Sequence, residues 1–133
     1  MSQAEVETVR RGYEALERGG VEALLELIAP DFELVTPPEL ASEPDTYRGP
    51  EGLRRYFDSF YEAMDEIRME GHRFHDVGDR VVVEFTLHAR GRSTGIETKL
   101  EAVQVWEVAD GLATRLDIYP TLEEALTAAR GDA

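Results

Sequence analysis

At 133 residues the chain is long enough for one domain with its own core and too short for two. Its 28 acidic residues against 14 basic ones give a formal charge of -14, which repels phosphate backbones and anionic bilayers and excludes nucleic acid and membrane surfaces as expected partners. It has no cysteine, so disulfides, zinc-thiolate sites and thiol nucleophiles are excluded together.

The opening residues MSQAEVETVRR contain no apolar leader, and no apolar run reaches membrane-spanning length, so a cytoplasmic location is expected. Ser2 to Arg18 predicts a helix. Ser2 and Glu5 form an S-x-x-E capping box, and Val6, Val9, Tyr13 and Leu16 recur at helical spacing. Gly19-Gly20 breaks it, and Val21, Leu24, Leu25 and Ile28 predict a second short helix stopped by Pro30. Phe32 to Thr36 reads as a short strand ended by Pro37-Pro38, and residues 39–49 as a polar loop holding Glu39, Glu43, Asp45 and Tyr47. From Pro50 a further helix presents a wide aromatic face of Tyr56, Phe57, Phe60 and Tyr61 beside Leu53 and Met64.

Ile67 to Asp76 reads as a strand that turns at Val77-Gly78-Asp79 into three runs of β-branched and aromatic residues. In the first, Val81, Val83, Phe85, Leu87 and Ala89 share one face, while Val82, Glu84, Thr86, His88 and Arg90 share the other. Asp110-Gly111 marks a tight hairpin turn. A terminal helix follows from Leu122 to Arg130, introduced by a second capping box, Thr121 with Glu124. The order predicts a single α+β domain over residues 1–133: a four-stranded antiparallel meander, curved, with helices on one face and a pocket opening between them.

The stretches VRRGYEALERGGVEALLELIAPDFEL, YRGPEGLRRYFDSFYEAM, GDRVVVEFTLHARGRSTGIE, VQVWEVADGLATRLDIY and LEEALTAARG cover nearly the whole chain. Together they resemble the SnoaL-like branch of the nuclear-transport-factor-2-like superfamily, which also holds ketosteroid isomerase. The resemblance implies a cone-shaped antiparallel sheet wrapped on N-terminal helices, an internal cavity and a homodimer. It implies no single reaction, because the superfamily holds isomerases, polyketide cyclases, hydrolases, dehydratases and non-catalytic binding modules.

Set against ketosteroid isomerase, this chain has Gly12, Thr36, Phe57 and Val103 where that enzyme places its polar groups. A threonine cannot act unaided as a base near neutrality and a valine cannot donate a hydrogen bond, so that mechanism is absent. Against limonene-type epoxide hydrolases, Lys99 and Glu101 lie two apart on one strand in a register that the resemblance turns inward, while Asp117 opposes Leu116 and Ile118 and points out. Against the polyketide cyclases, Glu101 is the candidate base. The expected ligand is a small, largely apolar molecule, bound without a cofactor. Its site would be lined by Val83, Phe85, Leu87, Val103, Val105, Leu116 and Ile118 from the sheet, with Tyr13, Leu16, Thr36, Phe57, Phe60 and Lys99 completing it. A cofactor-free acid/base enzyme and a non-catalytic binding module both fit these residues. His72 and His75 have opposite strand parity and His88 lies outward, so no metal site is expected. With Val105 inward, Trp106 points out beside Gln104 and Ala102, and a homodimer through that outer face is expected to bury it.

Overall fold

The protein is described by a computed structural model covering residues 2–36, 46–78 and 80–130. Helix α1 (Ser2–Leu24) bends at Gly20, whose φ of 72° and ψ of -162° leave the helical region. Glycine takes that conformation without a Cβ penalty, which is why the break falls there. The second segment is shorter than its apolar spacing suggests. It passes through a 3-10 turn, Leu25–Leu27, into strand β1 (Ile28–Val35). Pro30 therefore lies within a strand and does not terminate a helix. Pairing with the neighbouring strand shifts register between Ile28 and Glu33, and that irregularity accommodates a residue lacking an N–H.

Strand β2 (Thr46–Arg48) pairs antiparallel with β1, so the end of the segment read as loop is paired backbone. Glu39, Glu43 and Asp45 lie outside the described residues, as do Asp79 and the Ser2 side chain of the first capping box. Helix α2 (Gly49–Ala63) packs on β1 and β2. Strands β3 (Met64–Val77), β4 (Arg80–Gly91), β5 (Glu97–Ala109) and β6 (Leu112–Tyr119) form the antiparallel meander, and β1 joins β6 in parallel. The result is a curved, unclosed, mixed sheet in the order β2-β1-β6-β5-β4-β3. Asp110 and Gly111 both have positive φ, 54° and 78°, as a two-residue primed turn requires. Helix α3 (Leu122–Ala129) starts at Thr121, whose hydroxyl accepts the Glu124 N–H at 3.2 Å.

Two cores result. The main one lies between the sheet and α1 and α2, and takes Val81, Val83, Phe85 and Leu87 from β4 and Leu116 and Ile118 from β6. The smaller one, on the opposite face, packs Val82, Val103 and Val105 beneath Ala125 and Ala129 of α3. Strand β5 therefore lies the other way up from the sequence expectation. Val83 pairs with Gln104 and Phe85 with Ala102, and directly paired residues point to the same side. Ala102, Gln104 and Trp106 face the helices, while Lys99, Glu101, Val103 and Val105 face away. The cause is one extra residue. Counting outward from the Asp110-Gly111 turn would set Val105 opposite Leu116, but a register shift between Glu107 and Val108 sets Trp106 there instead.

A second shift, between Gly71 and Arg73, corrects the reading of the histidines. His72 bonds to Thr86 at 2.6 Å and His75 to Glu84 at 2.8 Å, both on the outer face. Simple parity had set them on opposite faces, and the bulge brings them together. Among the described residues no three His, Cys, Asp or Glu side chains are grouped to hold a metal ion. Among them too, no helix is long and apolar enough to cross a membrane.

Candidate functional site

The interior cavity lies where α1 and α2 meet the concave face of the sheet. Helix α1 supplies Thr8, Val9, Gly12, Tyr13 and Leu16 at the helical spacing that built its apolar stripe. Helix α2 supplies Leu53, Tyr56 and Phe57, and β1 supplies Ile28 and Leu34. The sheet closes the far side with Met69, Gln104, Trp106, Ala113 and Leu116. The walls are almost wholly hydrocarbon and aromatic. The free space is small, about 30 Å³, room for a water or two, so a larger occupant must displace wall side chains.

Beside the hydroxyls of Thr8, Tyr13 and Tyr56, the described lining holds one carboxamide. Gln104 is 2 % exposed, and burying a carboxamide is costly unless its hydrogen bonds are made. Its Oε1 accepts the Trp106 indole N–H at 2.8 Å. The same oxygen accepts the Tyr13 hydroxyl. Tyr13 is itself braced edge-on against Phe74, ring centroids 5.6 Å apart. Gly71 allows that approach, since a Cβ there would sit 2.8 Å from the Phe74 ring and 3.2 Å from the Tyr13 ring.

Burial pushes the Tyr13 hydroxyl well above the ordinary phenol range. Burial, followed by the neighbouring Tyr47, raises Tyr56. Both therefore stay protonated and neutral through the physiological range. No other described lining residue is ionisable, so the cavity carries no charge at neutral pH. Tyr13 and Met69 also line a separate polar cleft with Arg10, Glu14, Glu17, Arg68 and Glu70. These two side chains stand between the interior and solvent.

The residues anticipated from sequence divide into several groups. Tyr13, Phe57 and Leu116 line the cavity, and Leu16 joins them. Phe85, Leu87 and Ile118 are buried in the main core without lining it, and so is Val83. Thr36, just past β1, is buried with its Oγ1 unpartnered among the described residues and is not part of the wall. The Phe60 side chain lies outside the described residues. Val103 and Val105 sit under α3, and Glu101 and Lys99 are exposed on that same outer face. Glu101 borders a surface groove with His72, Glu84 and Leu122. Asp117 points away from the cavity, as strand parity implied, and pairs with Arg115 at 2.7 Å.

Gln104 and Trp106 were missed as cavity residues. A usable signal was present: Leu100, Ala102, Gln104, Trp106 and Val108 form a longer uncharged set than Val103 and Val105, which Glu101 and Glu107 flank.

Among solved structures, the chain is similar to an NTF2-like protein from Burkholderia pseudomallei at 24% identity, with a TM-score of 0.76 over 91% of this chain and 93% of that one. It is also similar to TerC, co-crystallised with polyporic acid, at 24% identity and a TM-score of 0.78 over 91% and 94%. A Mycobacterium tuberculosis protein in complex with estradiol-17β-hemisuccinate matches at 16% identity and a TM-score of 0.73 over 90% and 95%. These likenesses establish the fold. No curated protein matches the chain by sequence. The model of the SnoaL-like domain matches residues 9–116, most of the length, and the chain belongs to the SnoaL-like family.

Proposed function

We propose that the protein binds a small, largely apolar molecule in the cavity between α1, α2 and the sheet, and that it does so as a binding module without acid/base chemistry of its own. The observation that carries this reading is the character of the wall. It is apolar, holds one oriented polar cluster, and has no group among the described lining residues that could move a proton near neutral pH. Proteins of this fold accept small molecules, as the polyporic acid and estradiol hemisuccinate complexes indicate for those two chains. A polyketide-cyclase or isomerase role would need a carboxylate or imidazole at the cavity. Glu101, the sequence candidate, is exposed on the other side of the sheet, which counts against it. The route inward would pass between Tyr13 and Met69. Trp106 is buried in the main core, so it takes no part in the homodimer interface expected from sequence; the homodimer itself is tested by light scattering at micromolar concentration.

The test of the binding reading is a blocked cavity. Gly12 lines it from α1, and a Cβ there would lie 3.4 Å from Leu24 Cδ1, an ordinary contact. The Gly12→Ala variant should fold and, its added methyl taking up much of the small free space, weaken binding of cyclohexanone in ligand-observed NMR, while Glu101→Gln binds as the wild type does. Undiminished binding by Gly12→Ala would place the site elsewhere. Loss in Glu101→Gln would restore that carboxylate to the account.

A further inference from the structure

A hydrocarbon side chain at position 104 would complete the apolar wall with no desolvation cost, so a glutamine there needs a reason. The Trp106 indole nitrogen is a donor only, so the atom facing it at 2.8 Å must be the amide oxygen. The Tyr13 hydroxyl donates to the same oxygen. Both of its lone pairs are then used. The amide cannot turn over without setting its NH₂ against the indole N–H. Its nitrogen is thereby held on the other side. Among the described residues Nε2 has no hydrogen-bond partner. Among the described residues the sealed polar atoms lacking a partner are Glu5 Oε2 and Thr36 Oγ1, so Nε2 keeps some accessible surface. Gln104 lines the cavity, and the geometry points to that surface facing it.

We propose that Gln104 Nε2 is the specificity-determining donor of the cavity, locked in one orientation by Trp106 and Tyr13, and that the site takes a small neutral molecule bearing a carbonyl or ether oxygen on a hydrocarbon body. This rests on the binding reading above and adds the polar class of the ligand. A hydrocarbon of the same shape leaves the buried N–H groups unpaired, which is where discrimination arises. A protonated amine meets a donor and, among the described lining residues, no negative charge.

The test is a matched pair, cyclohexanone and methylenecyclohexane, in which C=O becomes C=CH₂ at nearly constant shape. The wild type should bind the ketone about tenfold more tightly. Gln104→Met should bring the ratio close to one without weakening the hydrocarbon. Trp106→Phe removes the lock and should lower the ratio part-way, whereas a mere loss of wall packing would change the affinity for both probes alike and leave the ratio as it is. Equal binding of the pair by wild type would overturn this proposal and leave the binding reading standing. Binding of neither would overturn both. A preference that survives in Gln104→Met would assign the donor to another residue and overturn the proposal. Should that variant not fold, the wild-type ratio and Trp106→Phe still decide.

Discussion

Tyr13 is shifted upward by burial, and Tyr56 by burial and then by Tyr47, from an ordinary phenol value of 10.0. Each keeps its proton in the folded protein at a pH where the unfolded chain gives it up. The unfolded state then binds fewer protons than the folded one, and stability falls as pH rises. The contribution is complete below about pH 10 and is lost progressively above it. Chemical denaturation at pH 8 and pH 11 should therefore show a marked loss of stability at the higher pH, and Tyr13→Phe should reduce that loss while being less stable at pH 8, because Gln104 loses a donor. A Tyr13→Phe curve with the same alkaline slope as wild type would mean that this hydroxyl is not buried as described.

The elements show which features could be read from the chain and which could not. Alternation in β4 identified its inner face correctly, because Glu84 and His88 on the outer side are only half-buried and the pattern is preserved. In β5 the five residues from Ala102 to Trp106 are all buried, since α3 covers the back of the sheet there. Alternation carries no information where both faces are covered. The face then depends on register, and the shift beside the Asp110-Gly111 turn changes it. The helices were legible from apolar spacing, yet β2 was too short to be read as a strand. Close packing at helix α2 gives a direct check. A Cβ on Gly52 would meet backbone atoms of Tyr47 at 2.9 and 3.3 Å, and backbone yields less readily than a side chain. Gly52→Ala should lower stability by about 1–3 kcal/mol in urea unfolding, despite the better helix propensity of alanine. A neutral or stabilising change would show that α2 does not pack on β2 this closely.

For the molecule as a whole, the two cores assign different tasks to the two faces of one sheet. The α3 side is a small aliphatic seal of Val82, Val103, Val105, Ala125 and Ala129, with an open charged surface beside it. The α1 and α2 side is a larger apolar interior with space at its centre and the Tyr13, Gln104 and Trp106 cluster in its wall. The formal excess of -14 is thus carried outside the cavity, whose described lining residues are neutral. Its modest size means that any occupant displaces wall side chains, so affinity for small probes should be weak and strongly dependent on shape. The central claim is that ligands enter this interior and not the outer groove beside Glu101. Trp106 is the only tryptophan in the chain, so its indole N–H gives a single unambiguous NMR signal. The most direct measurement is of intermolecular nuclear Overhauser effects from bound cyclohexanone. Contacts to the Trp106 indole and the Leu116 methyl groups are predicted, and contacts confined to Val103 and Leu122 in the outer groove would contradict the account.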